Sequence, residues 1–122
     1  MDRQESRAMG VALGTGTGLQ VAMVLAGHFS PTIAGLFAVA GMLISMLAGG
    51  MYGEGSGTPR GRAIGGGAVV GGLCALIGIL VSVALGDVPP SVLLFGTVSS
   101  ALTGAIGGWV GMVLRGRRSA LA

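Results

Sequence analysis

Residues 41–53 read GMLISMLAGGMYG, an apolar segment in which a small residue recurs at every fourth position. Residues four apart lie on nearly the same face of a helix. A face without large side chains lets the backbone of another helix approach closely, which strengthens dispersion and weak Cα–H···O contacts. The small residues of this segment are Gly41, Ser45, Gly49 and Gly53. The spacing therefore predicts a helix with a packing face of the GxxxG type.

The same spacing returns later in the chain. Residues 96–108 read GTVSSALTGAIGG, so the pattern that starts at position 41 starts again 55 positions later (96 − 41 = 55). Its small residues are Gly96, Ser100, Gly104 and Gly108. Two spans in each half restore the direction of the chain, so the halves would be parallel repeats related by an axis along the membrane normal. We expect two helical hairpins of similar construction.

Small residues at helical spacing also occur on two other apolar segments. They are Gly10, Gly14 and Gly18 on the first segment, and Gly67, Gly71 and Ala75 on the third. The simplest interpretation is that most of these faces pack within one four-helix bundle. Four thin helices have more small faces than one bundle can use, so at least one face is a candidate for contact with a second copy or another membrane protein.

The composition is that of an integral membrane protein. The chain has 122 residues, of which 26 are Gly, 52% are hydrophobic and only 9% are charged, and its mean hydropathy is +0.86. Soluble domains carry about 25% charged residues and about 7% Gly. Disordered chains combine low hydrophobicity with high charge, and collagen needs Gly at every third position, so both classes are excluded.

Four segments are long enough to cross a bilayer, whose hydrocarbon core of about 30 Å needs roughly 20 apolar residues. They cover residues 8–27, 32–52, 63–86 and 91–114. Gly27 and Gly86 suit helix ends, and the prolines that follow them suit helix starts. The central connection, residues 53–62, is polar and rich in Gly. We therefore expect one all-α transmembrane domain over residues 1–122, built as a four-helix bundle.

Arginine placement predicts the orientation of this domain. Seven arginines flank the apolar segments, namely Arg3, Arg7, Arg60, Arg62, Arg115, Arg117 and Arg118. They precede the first segment, lie in the central loop or follow the fourth segment, whereas the other two connections contain none. The positive-inside rule then places both termini and the central loop in the cytoplasm, at what we take to be a prokaryotic inner membrane. In this interpretation the net charge of +3 comes from arginines that set the orientation in the membrane, and nucleic acid is not an expected partner.

The chain offers little chemistry. It contains no Lys, a single His and a single Cys, which excludes Schiff-base chemistry and a structural zinc site. The four acidic residues lie outside the long apolar runs, so we expect no intramembrane carboxylate for proton coupling. His28 and Asp87 fall in matching turns and could pair. We expect no enzyme activity, and we assign no catalytic residue, metal or cofactor.

Five polar residues inside the apolar segments leave two interpretations open. They are Thr15, Thr17, Gln20, Ser99 and Thr103. In the first interpretation the hydroxyls bond to their own helices and Gln20 bonds across a helix contact, which is worth about 0.6–2 kcal/mol. In the second these side chains line a pathway for a small polar solute or ion, although no charged residue supplies a selectivity ring.

The glycine clusters and the basic loop together resemble a known family. The matching residues are Gly49, Gly50 and Gly53, then Arg60-Gly61-Arg62, then Gly65-Gly66-Gly67 with Gly71-Gly72, and finally Gly107, Gly108 and Gly111. Their order is similar to that of the small four-span bacterial membrane proteins typified by the Bacillus YrzE protein. The resemblance implies a membrane location and a four-helix fold, and it brings no catalytic residues.

Two functional hypotheses follow. The first is a non-enzymatic, multi-pass inner-membrane protein that acts as an accessory or scaffold subunit, or as a homo-oligomer. Its partners would be the lipid bilayer and either itself or another membrane protein. The alternative is a small channel or transporter for a small polar solute or ion. The glycine faces support the first hypothesis, and the intramembrane polar residues support the second.

Overall fold

The computed structural model describes residues 2–34 and 36–121, and every regular element within them is a helix. The helices are α1 at Arg3–Phe29, α2 at Pro31–Ala34, α3 at Phe37–Gly55, α4 at Arg60–Ala84 and α5 at Ser91–Leu121. Three of them, α1, α4 and α5, are long and apolar enough to cross a membrane. The predicted all-helical fold is confirmed for this part of the chain. The second predicted segment, residues 32–52, is not one continuous helix: α2 ends at Ala34 and α3 begins at Phe37, with Leu36 in a turn and Gly35 outside the described residues.

Local sequence explains where the helices begin and end. The Asp2 carboxylate caps α1, since its Oδ1 accepts a hydrogen bond of 2.7 Å from the Glu5 backbone N–H. Pro59 precedes α4, where its fixed φ favours a helix start. Gly86, two positions after the last residue of α4, adopts a positive φ of 77°, and the backbone N–H groups of Gly86 and Asp87 bond back to the carbonyls of Val83 and Ser82 in the last turn. This is the left-handed helix ending that glycine favours.

The helices extend beyond the apolar segments at the arginine-rich positions. α1 begins at Arg3 rather than at residue 8, α4 begins at Arg60 rather than at residue 63, and α5 continues to Leu121 rather than ending at residue 114. The predicted spans followed hydropathy, which ends where the first charged residues begin. Helical hydrogen bonding continues into these polar turns, because water can satisfy the free backbone groups at helix ends.

The long helices form a four-helix bundle. α3 and α4 contact each other, and each of them also contacts both α1 and α5, so α1 and α5 occupy opposite corners. α3 and α5 run in the same direction, as do α1 and α4. The buried apolar core consists of Ala12, Ala48, Tyr52, Val70 and Cys74. Small residues dominate this core, so the helix axes lie close together.

The two ends of the bundle differ in charge. The starts of α1 and α4 and the end of α5 carry all seven arginines. The end of α3 lies beside them, and we call this end of the bundle the basic end. The opposite end contains His28 and Asp87 in its short connections, and we call it the turn end. Between the ends, large apolar side chains such as Leu43, Leu47 and Leu102 are more than half exposed on the outer surface. An outer surface of this kind is consistent with a membrane protein.

Candidate functional site

Glycine meets glycine where α3 and α5 pack together in the basic half of the bundle. A methyl group on Gly49 would lie 2.9 Å from the Cα of Gly104, and one on Gly53 would lie 2.9 Å from the Cα of Gly108. Real Cβ atoms do not approach other atoms so closely. No residue larger than glycine therefore fits at these positions without a shift of the backbone.

The same glycines of α5 also contact α4. A methyl group on Gly67 would lie 2.9 Å from the Cα of Gly108, and one on Gly71 would lie 2.8 Å from the Cα of Gly104. Gly104 and Gly108 thus touch the backbones of two helices at once. We call this group the glycine junction, and its members are Gly49, Gly53, Gly67, Gly71, Gly104 and Gly108.

The other predicted packing residues lie in different surroundings. Ser45 is buried and bonds across the bundle, since its hydroxyl donates to the Gly71 carbonyl over 3.2 Å. Gly41, Gly96, Ser100 and Ala75 line a cavity at the turn end, where α3 and α5 diverge. The glycines of the two small-residue patterns therefore touch in the basic half of the bundle and separate around this cavity.

The small stripe of α1 faces away from the bundle. Gly10, Gly14 and Gly18 are exposed, and a methyl group on any of them would meet no atom of the described chain within 4 Å. Ala22 and Ala26 continue the stripe at the same spacing and are also exposed. The buried residues of α1 lie on the opposite side of the helix and include Glu5, Ala12, Gly16 and Gln20.

Arg3 and Arg7 share the exposed side of α1 with this stripe. Positions 3, 7, 14 and 18 differ by steps of four or seven, and such steps keep residues on one helix face. Both arginines are exposed, and neither forms an ion pair with a carboxylate of the described residues. We call the surface formed by Arg3, Arg7, Gly10, Gly14 and Gly18 the α1 outer face.

The cavity at the turn end has a volume of about 450 Å³. Its lining is mostly apolar and comes from all four long helices. The polar lining residues are Gln20, Ser82, Ser99 and Ser100, and the larger apolar ones are Met23, Val24, Met42, Ile79, Val88, Val92 and Phe95. Where the cavity approaches the basic half, the glycine junction brings α3, α4 and α5 together.

The five predicted pathway residues do not line one cavity. Gln20 and Ser99 lie at the turn-end cavity. Thr15 is exposed on the surface of α1, and the Thr17 hydroxyl donates to the Cys74 sulfur over 3.7 Å. The Thr103 hydroxyl donates to the Ser100 carbonyl of its own helix over 3.0 Å.

Gln20 links α1 to α3. Its Nε2 donates to the Gly41 carbonyl over 3.0 Å and to the Ser45 hydroxyl over 3.1 Å. The residue is only 3% exposed. Hydrogen bonding across a helix contact, the first of the two interpretations, is therefore what this side chain does in the structure.

A buried ion pair at the basic end was not anticipated. The Glu5 side chain is 4% exposed, and its carboxylate accepts bonds of 2.8 and 2.9 Å from Arg62 and one of 2.9 Å from the Tyr52 hydroxyl. The sequence places Glu5 with the other acidic residues outside the long apolar runs and predicts no partner for it. The available signal was spacing, because Glu5 precedes Ala12 by seven positions and so shares its buried face.

Two other arginines hold the basic end together. Arg115 of α5 donates to the carbonyls of Gly53 over 3.1 Å and of Thr58 over 2.9 Å. Arg118 forms an ion pair with Glu54 at the end of α3. The remaining predicted topology residues, Arg60 and Arg117, are exposed.

The turn end carries a second ion pair. The Nδ1 atom of His28 lies 2.9 Å from the Asp87 carboxylate, so the predicted pairing of the two connections is confirmed. Both side chains are partly exposed.

Among the residues that the structure describes, no three His, Cys, Asp or Glu side chains lie close enough to hold a metal ion. Comparison of the chain with protein families, with curated proteins and with solved structures found no match.

Proposed function

We propose that this protein is a non-enzymatic, multi-pass membrane protein that serves as an accessory or scaffold subunit, and that it binds its partner through the α1 outer face. The observation that carries this proposal is the exposed stripe of Gly10, Gly14 and Gly18. The small faces of α3, α4 and α5 pack against each other at the glycine junction. Of the small-residue stripes predicted from the sequence, that of α1 is the one that faces outward along its whole length in the described part of the chain.

A glycine stripe that faces lipid contributes little stabilisation by itself. Lipid tails provide no hydrophobic drive for helix pairing, so membrane helices associate through close packing of small residues. Glycine also has a low helix propensity, about 1 kcal/mol below that of alanine. A packed partner helix would use the groove that Gly10, Gly14 and Gly18 leave open.

Charge favours a different protein over a second copy as the occupant. Arg3 and Arg7 extend the α1 outer face into the basic end without a carboxylate partner. A second copy packed on this face in the same membrane orientation would bring four arginines together. A helix with small residues and an acidic cytoplasmic flank would instead neutralise them, and opposite charges across an interface favour the correct pairing.

The proposed membrane arrangement has four spans. α3 has 19 residues, and at 1.5 Å per residue it is about 28 Å long, close to the hydrocarbon thickness of about 30 Å. The basic end is assigned to the cytoplasm of a prokaryotic inner membrane by the positive-inside rule. The matched contacts of Gly49 with Gly104 and of Gly53 with Gly108 support two parallel repeats. The YrzE-like family assignment stays a prediction.

The test is crosslinking within intact membranes. A photoreactive amino acid at Val11, which is 52% exposed next to the stripe, should give an adduct whose mass differs from that of a dimer of the chain. Gly14→Leu should remove the adduct because the larger side chain blocks close approach. Gly65→Leu is the matched control, since Gly65 is an exposed glycine of α4 that also has no atom within 4 Å.

The mass and yield of the crosslinked adduct show which protein, if any, binds the α1 outer face. An adduct with twice the mass of the chain would indicate a homo-oligomer and contradict the charge argument. Absence of any adduct, together with a monomer in nanodiscs, would reject the scaffold proposal. Equal adduct yields in the Gly14→Leu and Gly65→Leu variants would reject the α1 outer face as the contact surface.

The competing function, transport of a small polar solute or ion, rests on the turn-end cavity and its Gln20 and Ser99 side chains. The glycine junction argues against transport, because α3, α4 and α5 are held together by backbone contacts on the basic-end side of the cavity. Transport predicts solute flux in proteoliposomes that Gln20→Leu reduces. No flux across a broad panel of solutes would exclude this alternative.

A further inference from the structure

Two polar groups at the turn-end cavity are left unused by the fold. Ser82 is 2% exposed, and its Oγ has no hydrogen-bond partner among the described residues. The Gln20 Nε2 is fully used, but no donor of the described residues reaches its Oε1. This Oε1 lies between Gly41 and Gly78, because methyl groups built on them would approach it to 3.6 and 3.5 Å. Gln20, Ser82 and both glycines line the cavity.

Unpartnered buried polar groups are uncommon in folded proteins, since each one has lost its hydrogen bonds to water. The Ser82 Oγ is such a group at the wall of a cavity that the Gln20 Oε1, which no donor of the described residues reaches, also lines through its residue. Together the two groups point to a ligand that completes them. The cavity volume of about 450 Å³ lies within the range of about 300–1,000 Å³ that small-molecule sites occupy. Mostly apolar walls with a few convergent polar groups are also typical of such sites.

The lining excludes a charged ligand head group. No Asp, Glu, Arg or His occurs among the lining residues, and a charge moved from water into such a site is costly without a counter-charge. A hydroxyl group can donate to the Gln20 Oε1 and also accept from the Ser82 hydroxyl. A carbonyl group can only accept, so it would leave Oε1 without a partner.

Access to the cavity is from the outer surface of the bundle. Two of its lining residues, Met42 of α3 and Phe95 of α5, are 37% and 72% exposed. They belong to the two helices that diverge at this level. In a membrane this surface faces lipid, so a ligand that reaches the cavity between them dissolves in the bilayer.

We propose that the turn-end cavity binds a neutral lipid with a free hydroxyl group. The hydroxyl bonds to Gln20 and Ser82, and the hydrocarbon part packs along Met23, Ile79 and Val92. Charged lipids and plain hydrocarbons bind less well, because the first lack a counter-charge and the second leave both polar groups without partners. This site is separate from the α1 outer face and does not depend on the proposed scaffold function.

The test uses the full chain in nanodiscs with a diazirine derivative of dodecanol as a photoaffinity probe. Mass spectrometry should locate the label on α3 around residues 41–42 and on α5 around residues 92–96. Dodecanol should compete for the label about 2- to 10-fold better than dodecane or dodecanoate, the range expected for a hydrogen bond. Equal competition by dodecane, or label spread evenly over the lipid-facing helices, would overturn the proposal.

Two conservative variants isolate the hydroxyl contact. Ser82→Ala should leave the label in place but remove most of the advantage of dodecanol over dodecane. Thr97→Val is the matched control, because the Thr97 Oγ1 is also buried and unpartnered but the residue does not line the cavity. It should keep the full preference for the alcohol. The same loss of preference in both variants would contradict the assigned role of Ser82.

Discussion

Gly49 and Gly104 occupy the same position in the two small-residue patterns of the chain, and they lie against each other in the bundle. A methyl group on Gly49 would come within 2.9 Å of the Gly104 Cα. The contact joins the two helices that run in the same direction, α3 and α5. It fixes their separation at the distance that two glycine backbones allow.

Because of this contact, adding a single methyl group at Gly49 should lower the stability of the bundle considerably. Gly49→Ala should destabilise the bundle by about 1–3 kcal/mol, the range for overpacked interiors, because backbone atoms occupy the space that the new methyl group needs. Unfolding in mixed micelles with increasing SDS, followed by circular dichroism, measures the change. Gly65→Ala should be neutral or stabilising, since it has open space around it and alanine is the better helix former. Equal stability of the two variants would contradict the contact.

The Glu5–Arg62 pair predicts an asymmetric response. The Glu5 side chain is 4% exposed and that of Arg62 is 58% exposed. Arg62→Ala should therefore lower the free energy of unfolding more than Glu5→Gln does, because it leaves a buried carboxylate with only the Tyr52 hydroxyl as partner. We expect a difference of about 1–2 kcal/mol. A double-mutant cycle in the same unfolding assay provides the measurement, and equal losses would show that Glu5 is more hydrated than its burial indicates.

Gln20→Leu should weaken the contact between α1 and α3. The variant loses the bonds to the Gly41 carbonyl and the Ser45 hydroxyl, and membrane hydrogen bonds of this kind contribute about 0.6–2 kcal/mol. The loss should appear as a lower SDS midpoint. Thr15→Val is the control, since Thr15 is exposed and should change stability little. A Gln20→Leu variant as stable as Thr15→Val would refute the structural role of the amide.

The arginine distribution predicts the topology. Reporter fusions at Gly57 and after the C-terminus should report the cytoplasm, whereas fusions at Ser30 and Asp87 should report the opposite side. A phosphatase and fluorescent-protein pair at each site makes the readout reciprocal. The reverse pattern would overturn the orientation, and a mixed pattern would overturn the four-span arrangement.

Much of the fold was predictable because it depends on local composition and period. The low charge and high apolar content indicated membrane helices, and the glycine and proline turns gave the connections. The pairing of His28 with Asp87 followed from their matching turns. Each of these features depends on the local sequence or on a simple sequence repeat.

The site was less predictable because periodicity identifies a face but not its neighbour. The stripes at Gly14 and Gly49 look alike in sequence, yet one faces outward and the other lies in the glycine junction. The burial of Glu5 depends on Tyr52 and Arg62, which come from two other helices. The cavity depends on where α3 and α5 diverge, and no residue spacing encodes that point.

The glycine junction also determines how the bundle can move. At its level α3, α4 and α5 touch through backbone atoms, so there is no side-chain rotamer whose change could let one helix slide past another. These three helices must behave as one rigid body in the basic half. A change in the relative tilt of these three helices would therefore pivot about the junction and move them furthest at the turn end.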